Sequence, residues 1–251
     1  VEGVQRRFSA VDADAWASRV HALAAAHAGD DDVVIGTAIH SVRAVPQFQL
    51  RTVAVALPEA PMHVHVSEQP MENAECIAAT GLTPVALLAE AGVWAPRTTA
   101  VHATHLTDDD IATIGAAHSY VCFCPTTEAE LADGVGPSVA LREAGARLTL
   151  GSDSNTVIDM FAEARAVEMH ERLRTGVRGA WTADQLWLAA TTTGHESLGF
   201  VVNDTVDIAD TIRTAGADEL LWAATAADVE GDPGDVAELL EAAIDTCWSR
   251  V

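Results

Sequence analysis

The sequence predicts an α/β fold built on parallel strands, and two observations carry that prediction. Short apolar runs rich in β-branched residues alternate with amphipathic helical segments along most of the chain, which is typical of parallel strands joined by crossover helices. The runs are almost continuously apolar, which indicates a sheet covered on both sides or closed into a barrel. No G-x-G-x-x-G or G-x-x-x-x-G-K-[ST] motif follows a predicted strand, so a nucleotide-binding doubly wound fold is disfavoured.

The elements are predicted in chain order from hydrophobic pattern and helix-end signals. The strands are residues 33–39, 62–66, 98–103, 120–124 and 147–150. The helical segments are residues 12–28, 47–57, 71–91, 108–117, 135–144, 157–175 and 182–192. Gly81 followed by Thr83-Pro84 predicts that the third helical segment is broken in two, and Thr107 before three aspartates is a predicted N-cap. After Phe200 the chain reads as a weakly strand-like run and two acidic helical pieces.

Composition excludes several classes of partner. The 251 residues are 49% hydrophobic and 20% charged, with a formal net charge of -23, and all fourteen basic residues are arginines. Such a surface repels nucleic acid and anionic membranes, so neither is expected as a partner. No run of eighteen apolar residues is present, and no membrane span is predicted. The four cysteines lack paired C-x-x-C spacing, which suits free thiols in a reducing cytoplasm.

The strand from Met62 ends in M-H-V-H-V-S-E-Q. Alternate residues of a strand point the same way, so His63 and His65 share a face, and Glu68 follows just past the strand. Two interpretations are open for this stretch alone: a metal site with an acid/base group beside it, or two solvated histidines on an edge strand.

The other predicted strands favour the first interpretation, because polar groups follow each of them. The carboxyl ends of parallel strands are where β/α folds place their active sites. The polar groups, in strand order, are His40 and Arg43; His65 and Glu68; His102 and His105; Thr126, Thr127 and Glu128; and Asp153. Imidazole and carboxylate suit zinc or a similar divalent ion, which lowers the pKa of water toward about 7. Neighbouring carboxylates or histidines then move protons to the substrate and the leaving group.

The chain resembles the amidohydrolase superfamily of metal-dependent (β/α)8 barrels, and within it the formimidoylglutamate deiminases of bacterial histidine degradation. The segments that carry the resemblance are H-S-V-R-A-V-P, H-V-H-V-S-E-Q, V-H-A-T-H-L-T, C-F-C-P-T-T-E, L-A-D-G-V-G-P, L-G-S-D-S and E-A-R-A-V-E, between Gln5 and Phe200. H-x-H-x-x-E and G-S-D suggest only the superfamily, whereas P-T-T-E with L-A-D-G, and H-S-V-R-A-V, are narrower. The resemblance implies a partial TIM-like barrel in which strands 4 to 8 are recognisable, with a short, mostly helical C-terminal tail.

The resemblance also implies roles for individual residues. His65 and Asp153 would be ligands of one divalent metal ion, with zinc the first choice, and Asp153 would take the proton of the attacking water. Glu68 would move protons to and from the formimino nitrogens, and His102 would stabilise charge and orient the attack. Arg43 would pair with a carboxylate of the substrate, which its planar fork suits. The implied reaction is hydrolysis of N-formimino-L-glutamate to N-formyl-L-glutamate and ammonia.

Simpler interpretations remain open for several of these residues. His63 is expected to support the site or lie at the surface rather than to bind the metal, and His105 to form hydrogen bonds within a loop. His40 either supports the site or caps its strand. A salt-bridge partner is the alternative for Arg43, so its role in binding substrate depends largely on the family resemblance. Cys122 and Cys124 are interpreted as buried core thiols.

The sequence departs from the family pattern in three places. The H-x-H of the first barrel strand, which supplies two further ligands in the family, is not found before Val33, so strands 1 to 3 are expected to be missing. The loop after Asp153 reads S-N-T where the family has a histidine after the serine. The region after Phe200 is shortened. We therefore expect residues 1–200 to form a partial barrel and residues 201–251 a remnant of the family's C-terminal region.

These departures leave two alternatives to the deiminase: another amidohydrolase-type deaminase acting on a heterocycle, or a catalytically dead barrel fragment. The 251 residues alone are expected to bind zinc weakly and to be inactive, because a catalytic zinc usually takes three or more protein ligands. Exposed apolar edges at residues 33–39 and 147–150 favour aggregation, association with a second copy, or dependence on the missing N-terminal part. The expected partner is a small molecule with carboxylates.

Overall fold

The computed structural model describes residues 9–10, 12–201 and 221–225. The strands among them are β1 (Thr37–Ile39), β2 (Met62–Val66), β3 (Thr98–His102), β4 (Tyr120–Phe123) and β5 (Arg147–Leu150). The helices are α1 (Ala13–Ala26), α2 (Gln47–Ala54), α3 (Pro70–Thr80), α4 (Pro84–Glu90), α5 (Asp108–Ala116), α6 (Pro125–Glu130), α7 (Ser138–Ala144), α8 (Met160–Thr175), α9 (Ala183–Ala190) and α10 (Thr192–Ser197).

The five strands form one parallel sheet in the order β1-β2-β3-β4-β5. Each strand is followed by at least one helix. The helices between strands return the chain to the end of the sheet where the strands begin, so sequential strands become parallel neighbours. All carboxyl ends therefore meet at the same rim of the sheet. The predicted α/β fold with parallel strands is confirmed.

The first strand is shorter than predicted. Pairing starts at Thr37, opposite Met62, and the Thr37 N–H donates to the Pro61 carbonyl at 2.8 Å. Pro61 has no N–H to offer to a strand beside it. In addition, a side chain at Gly36 would lie 2.8 Å from the Pro61 carbonyl oxygen. The prediction of strand at residues 33–36 was therefore wrong, although the apolar run itself is present.

The helix-end signals predicted local structure well. The segment from residue 71 is broken as expected: Gly81 ends α3 with a φ of 78°, and Thr83 caps α4, whose first residue is Pro84. Thr107 caps α5 through a reciprocal pair of hydrogen bonds with Asp110. Helix α6 was not predicted, because six residues are too few to show a helical period.

Apolar side chains fill the space between the sheet and the helices around it. Val64, Val66 and Ala100 of the strands are at most 1% exposed, as are Leu88 of α4 and Ile114 of α5. This layer holds the strands in a fixed register, and therefore fixes the positions of the side chains that follow each strand at the rim.

Helix α10 lies near the opposite end of the sheet from this rim. His63, in the first half of β2, has its Nε2 3.2 Å from the Ser197 carbonyl of α10. Because a carbonyl only accepts, the imidazole must donate. His63 therefore supports α10 at the other end of the sheet, rather than the strand-end site that the sequence suggested it would support.

The predicted division into residues 1–200 and residues 201–251 stays a prediction. The strand-like run and the two acidic pieces after Phe200 lie outside the described residues, apart from residues 221–225. Those five residues are held to α8 by Arg165, whose guanidinium donates to the carbonyls of Leu221 at 2.9 Å and Ala224 at 2.6 Å. Within the described part of the chain, no helix is long and apolar enough to cross a membrane.

Candidate metal centre

Three potential metal ligands from different strand ends meet at the rim of the sheet. His65 of β2, His102 at the end of β3 and Asp153 after β5 each offer a ligand atom, and these atoms lie within 4.8 Å of one another. The His65 and His102 rings stack with their centroids 5.5 Å apart, and His102 Nε2 is 3.9 Å from Asp153 Oδ2. Two imidazoles and one carboxylate form a donor set that suits zinc and similar divalent ions. The predicted metal ligands His65 and Asp153 therefore lie close enough to share one ion.

The ring of His65 is oriented by the preceding strand. Its Nδ1 lies 2.7 Å from the backbone carbonyl of His40, which follows β1. The carbonyl can only accept, so Nδ1 carries the proton and Nε2 keeps its lone pair. An imidazole held in this way is prepared to bind a cation through Nε2. His40 thus supports the site through its main chain.

His102 is the most enclosed member of the group. Its side chain is 2% exposed, with Nδ1 3.4 Å from Glu128 Oε1 and Nε2 3.8 Å from Glu68 Oε1. Burial opposes a charge on this ring, but the hydrogen bond to Glu128 and the charges of Glu68, Glu128 and Asp153 outweigh it and raise the pKa of His102 above its usual value. The imidazole is therefore suited to stabilising negative charge.

The backbone at the rim is strained where the site residues lie. Ser67, His102, Ala103 and Asp153 all have positive φ, between 44° and 67°. Such conformations cost about 1–3 kcal/mol each in residues other than glycine and persist only where the surrounding structure fixes them. The positive φ of His102 ends the alternation of side-chain directions along β3, and its ring stacks on the ring of His65.

Glu68 and Arg43 lie beside the three potential ligands. Arg43 Nη2 is 3.4 Å from Glu68 Oε2, with the arginine side chain 38% exposed and the glutamate 15% exposed. Glu68 therefore contacts both the proposed substrate-binding residue Arg43 and His102. The structure brings all five predicted site residues, Arg43, His65, Glu68, His102 and Asp153, to one end of the sheet.

The other histidine singled out at a strand end has a structural contact. His105 Nε2 lies 2.6 Å from the Asp133 carbonyl, and the His105 carbonyl accepts from the Asn73 side-chain amide at 2.6 Å. These bonds tie the loop after β3 to helix α3 and to the segment that follows α6. His105 is thus a hydrogen-bonding loop residue, as expected.

The sequence reasoning assigned no role to Thr127 or Glu128, although both are 1% exposed and contact site residues or their loops. Glu128 accepts the Cys124 N–H at 2.8 Å, in addition to its contact with His102. Thr127 bonds to both neighbours of Asp153, Ser152 and Ser154. The sequence feature that could have indicated these roles is P-T-T-E, directly after a strand. No spacing rule, however, predicts which residues its side chains bond to.

The thiols next to the site are free, and Cys124 is more deeply buried than Cys122. Cys124 is 2% exposed, and Cys76, Cys122 and Cys124 form no disulfide; Cys247 lies outside the described residues. A hydrogen bond with Cys122, together with burial, raises the pKa of the Cys124 thiol. A thiol with a raised pKa is a poor nucleophile at neutral pH, consistent with the interpretation of Cys124 as a core thiol, whereas Cys122 is only half-buried.

Glu72 gives a pH-dependent prediction. This α3 residue is fully buried; its Oε2 accepts the Glu68 N–H at 3.2 Å, and its Oε1 has no hydrogen-bond partner among the described residues. Burial raises the pKa of Glu72 against the opposing charge of Arg43. The folded chain therefore holds this proton more tightly than the unfolded chain, and stability is lost as the pH rises through the raised pKa.

We expect Glu72→Gln to raise the Tm at pH 8 by roughly 2–4 °C, the shift that about 1 kcal/mol produces in a domain of this size, and to raise it less at pH 5. Thermal unfolding of both proteins at the two pH values measures this. Glu75→Gln, at an exposed position of the same helix, is the control and should change the Tm equally at both pH values. A Glu72→Gln shift that shrinks between pH 5 and pH 8 would contradict the prediction.

Comparison with known proteins agrees with this geometry. The amidohydrolase family matches residues 5–202 of the chain. Formimidoylglutamate deiminase of Pseudomonas aeruginosa is 34% identical over 173 residues, which are 66% of this chain and 38% of the deiminase. 5-Methylthioadenosine/S-adenosylhomocysteine deaminase of Halobacterium salinarum is 33% identical over 198 residues, 75% of this chain and 46% of the deaminase. The chain thus spans less than half the length of these relatives.

Solved structures extend the likeness to the fold. A crystal structure of an amidohydrolase from Brucella melitensis has a TM-score of 0.78 and 28% identity, and covers 87% of this chain and 52% of its own. A crystal structure of an adenosine deaminase from Xanthomonas campestris with bound zinc has a TM-score of 0.79 and 26% identity, and covers 86% of this chain and 54% of its own. The expected partial (β/α) barrel is confirmed by these neighbours.

Proposed function

This chain belongs to the amidohydrolase family, and from that premise we propose that it carries the catalytic residues of a metal-dependent deiminase that hydrolyses N-formimino-L-glutamate to N-formyl-L-glutamate and ammonia. One observation carries the proposal: His65, His102 and Asp153 share one rim with Glu68, and Glu68 lies 3.4 Å from the cationic group of Arg43. This arrangement combines a divalent metal site, an acid/base group and a carboxylate-binding group.

We assign His65 and Asp153 as ligands of the divalent ion that members of this family bind, with zinc as the proposed metal. When bound, the ion supplies Lewis-acid polarisation and acidifies water. The Nδ1–H of His65 remains on the His40 carbonyl at 2.7 Å, so the ring keeps Nε2 for the ion.

The proton transfers follow from the positions of the two carboxylates. Asp153 accepts one proton of the attacking water as its oxygen bonds to the formimino carbon, while Glu68 gives a proton to the imino nitrogen. Glu68 then carries the proton of the new hydroxyl to the same nitrogen, the carbon–nitrogen bond breaks, and ammonia leaves behind a formyl group. The proton on Asp153 returns to Glu68 and completes the cycle. His102 Nε2, which is 3.8 Å from Glu68 and 3.9 Å from Asp153, stabilises negative charge during these steps.

Arg43 is the proposed basis for substrate choice. Its only ionic contact within the described residues is Glu68, at 3.4 Å, and 38% of its side chain is exposed. A substrate carboxylate can therefore approach the guanidinium and form the paired contact that this group favours. An acidic small molecule fits this site, and the net charge of -23 disfavours nucleic acid and anionic membranes as partners.

A second candidate is deamination of a heterocycle. The relative from Halobacterium salinarum is named as a deaminase of 5-methylthioadenosine and S-adenosylhomocysteine, and the zinc-containing structural neighbour as an adenosine deaminase. The metal ligands and Glu68 would serve that reaction equally well. Arg43 separates the candidates, because a purine has no carboxylate for it to bind.

Ammonia release with added zinc tests the proposal. The substrates are formiminoglutamate, 5-methylthioadenosine and adenosine, and the proteins are the 251-residue chain and a form extended upstream by a family H-x-H strand. We expect the extended form to have a kcat/KM for formiminoglutamate at least tenfold above the values for both nucleosides. A higher kcat/KM for either nucleoside would refute formiminoglutamate as the substrate. An extended form that releases ammonia from none of the three compounds would refute the deaminase activity.

A further inference from the structure

We propose that Thr127 and Glu128, in the first turn of α6, are positioning residues that hold Asp153 and His102 in place for the proposed metal-dependent reaction. The P-T-T-E segment, Pro125–Glu128, connects the rim to α8, to the Asp153 loop and to His102. The inference rests on the proposed function for the roles of Asp153 and His102, and the hydrogen-bonding geometry stands independently of it.

Thr127 fixes the loop that carries Asp153. Its hydroxyl is 3.2 Å from the Ser152 carbonyl, accepts the Ser154 N–H at 3.1 Å, and lies 3.0 Å from Ser154 Oγ. A hydroxyl has one proton and two lone pairs, so these three contacts use its full capacity. All of them go to the two neighbours of Asp153 in the chain.

Asp153 needs such support because its own backbone is strained. Its φ is 44°, in the left-handed region that residues other than glycine rarely adopt. The carboxylate can face His65 and His102 only while this conformation persists. Without the Thr127 hydroxyl, the loop is free to relax and to carry the carboxylate away from the imidazoles.

Glu128 fixes His102 in a similar way. Its side chain is 1% exposed, and Oε1 is held at 2.8 Å by the Cys124 N–H. The same oxygen lies 3.4 Å from His102 Nδ1, a long but enclosed contact in which the carboxylate can only accept. His102 therefore keeps its proton on Nδ1 and directs Nε2 toward Glu68 and Asp153. The φ of 67° at His102 shows that this ring is also held against a backbone preference.

The P-T-T-E segment is itself anchored in the core. Thr126 donates both its N–H and its hydroxyl to Glu163 of α8, which is fully buried. Three consecutive side chains thus have three different partners: α8, the Asp153 loop and His102. Because Glu163 is buried, its bonds to Thr126 fix α6 to the core. Helix α6 can therefore hold Asp153 and His102 in fixed positions.

The first test compares Thr127→Val, which removes the hydroxyl at nearly constant shape, with Thr127→Ser, which keeps it. We expect Thr127→Val to weaken zinc affinity by about 10- to 100-fold, the usual effect of losing a group that supports a metal ligand, and Thr127→Ser to stay within threefold of wild type. Zinc affinity is measured by competition with a chromophoric chelator. Thr98→Val is the control, because it removes a buried hydroxyl that donates to the Val93 carbonyl at the far end of β3 and should leave zinc affinity unchanged.

A second measurement on the metal-free protein separates this inference from the proposed function. The Ser154 N–H donates to Thr127 Oγ1, so its hydrogen exchange should be at least tenfold faster in Thr127→Val than in wild type or Thr127→Ser. This result does not depend on zinc or on turnover. Unchanged exchange at Ser154, or zinc affinity within threefold of wild type in folded Thr127→Val, would overturn the role of Thr127.

The role of Glu128 is tested by Glu128→Leu and Glu128→Gln. The amide oxygen of glutamine can still accept from Cys124 and His102, whereas leucine cannot. In the form extended upstream, we expect Glu128→Leu to lower kcat at least tenfold with KM within threefold of the unsubstituted protein, and Glu128→Gln to recover most of the loss. Long-range ¹H–¹⁵N spectra should show His102 protonated on Nδ1 in wild type and Glu128→Gln but not in Glu128→Leu. Identical His102 spectra in all three proteins would overturn the role of Glu128.

Discussion

In the form extended upstream, replacing Asp153 with asparagine is expected to lower kcat for formiminoglutamate by roughly 10²- to 10⁴-fold, the range seen when a positioned acid/base group is lost. Asparagine matches the carboxylate in shape but has no negative charge and accepts no proton from water. Because the substrate is held mainly by Arg43 in our proposal, KM should change far less than kcat. Steady-state ammonia release under saturating zinc measures both constants.

The matched control lies six residues further along the same loop. Asp159 caps α8 by accepting from the N–H groups of Phe161 and Ala162 at 2.9 and 3.1 Å. Asparagine also caps helices well, so Asp159→Asn should leave kcat and KM near wild-type values. A kcat for Asp153→Asn within threefold of wild type would remove Asp153 from the chemistry.

The fold was predictable because its signals are local. The strands β2 and β5 begin and end where the apolar runs do, and Gly81, Thr83 and Thr107 mark helix ends through their own backbone preferences. The error at residues 33–36 has a non-local cause. Pro61, some two dozen residues away in the chain, decides where β1 can begin to pair, and no pattern within the apolar run carries that information.

The site was predictable in part for a related reason. In a parallel sheet the carboxyl ends of all strands share one rim, so residues that follow different strands must be neighbours. This rule accounts for the convergence of His65, His102 and Asp153. It does not say how each side chain is oriented, because orientation depends on individual bonds to other parts of the chain.

Two contacts illustrate what the sequence leaves out. His65 is oriented by the backbone carbonyl of His40, and every residue has a carbonyl, so the type of residue at position 40 does not reveal the bond. Thr127 reaches Ser154, 27 positions later, through a helix too short to be predicted. Long-range hydrogen bonds of this kind become visible only when the packing of α6 against the Asp153 loop is known.

In the same extended form, replacing Arg43 with glutamine is expected to lower kcat/KM for formiminoglutamate by roughly 30- to 5,000-fold, because losing one partner of a charged substrate contact costs about 2–5 kcal/mol. In the structure, Arg43 is paired with Glu68 at 3.4 Å, so a substrate carboxylate would compete with Glu68 for the guanidinium. Arg43→Lys keeps the charge but not the planar fork and should recover only part of the loss. The measurement is kcat/KM by ammonia release at constant ionic strength.

The same variant decides between the two candidate substrates. For 5-methylthioadenosine, which has no carboxylate, Arg43→Gln should change kcat/KM less than threefold. Arg51→Gln, at an exposed position in the last turn of α2, removes a positive charge nearby in the chain without touching the site and should leave both substrates unaffected. If Arg43→Gln had the wild-type kcat/KM for formiminoglutamate, another residue would have to bind the substrate carboxylate. If it impaired both substrates equally, the role of Arg43 would lie in its contact with Glu68, since only that contact is shared by the two reactions.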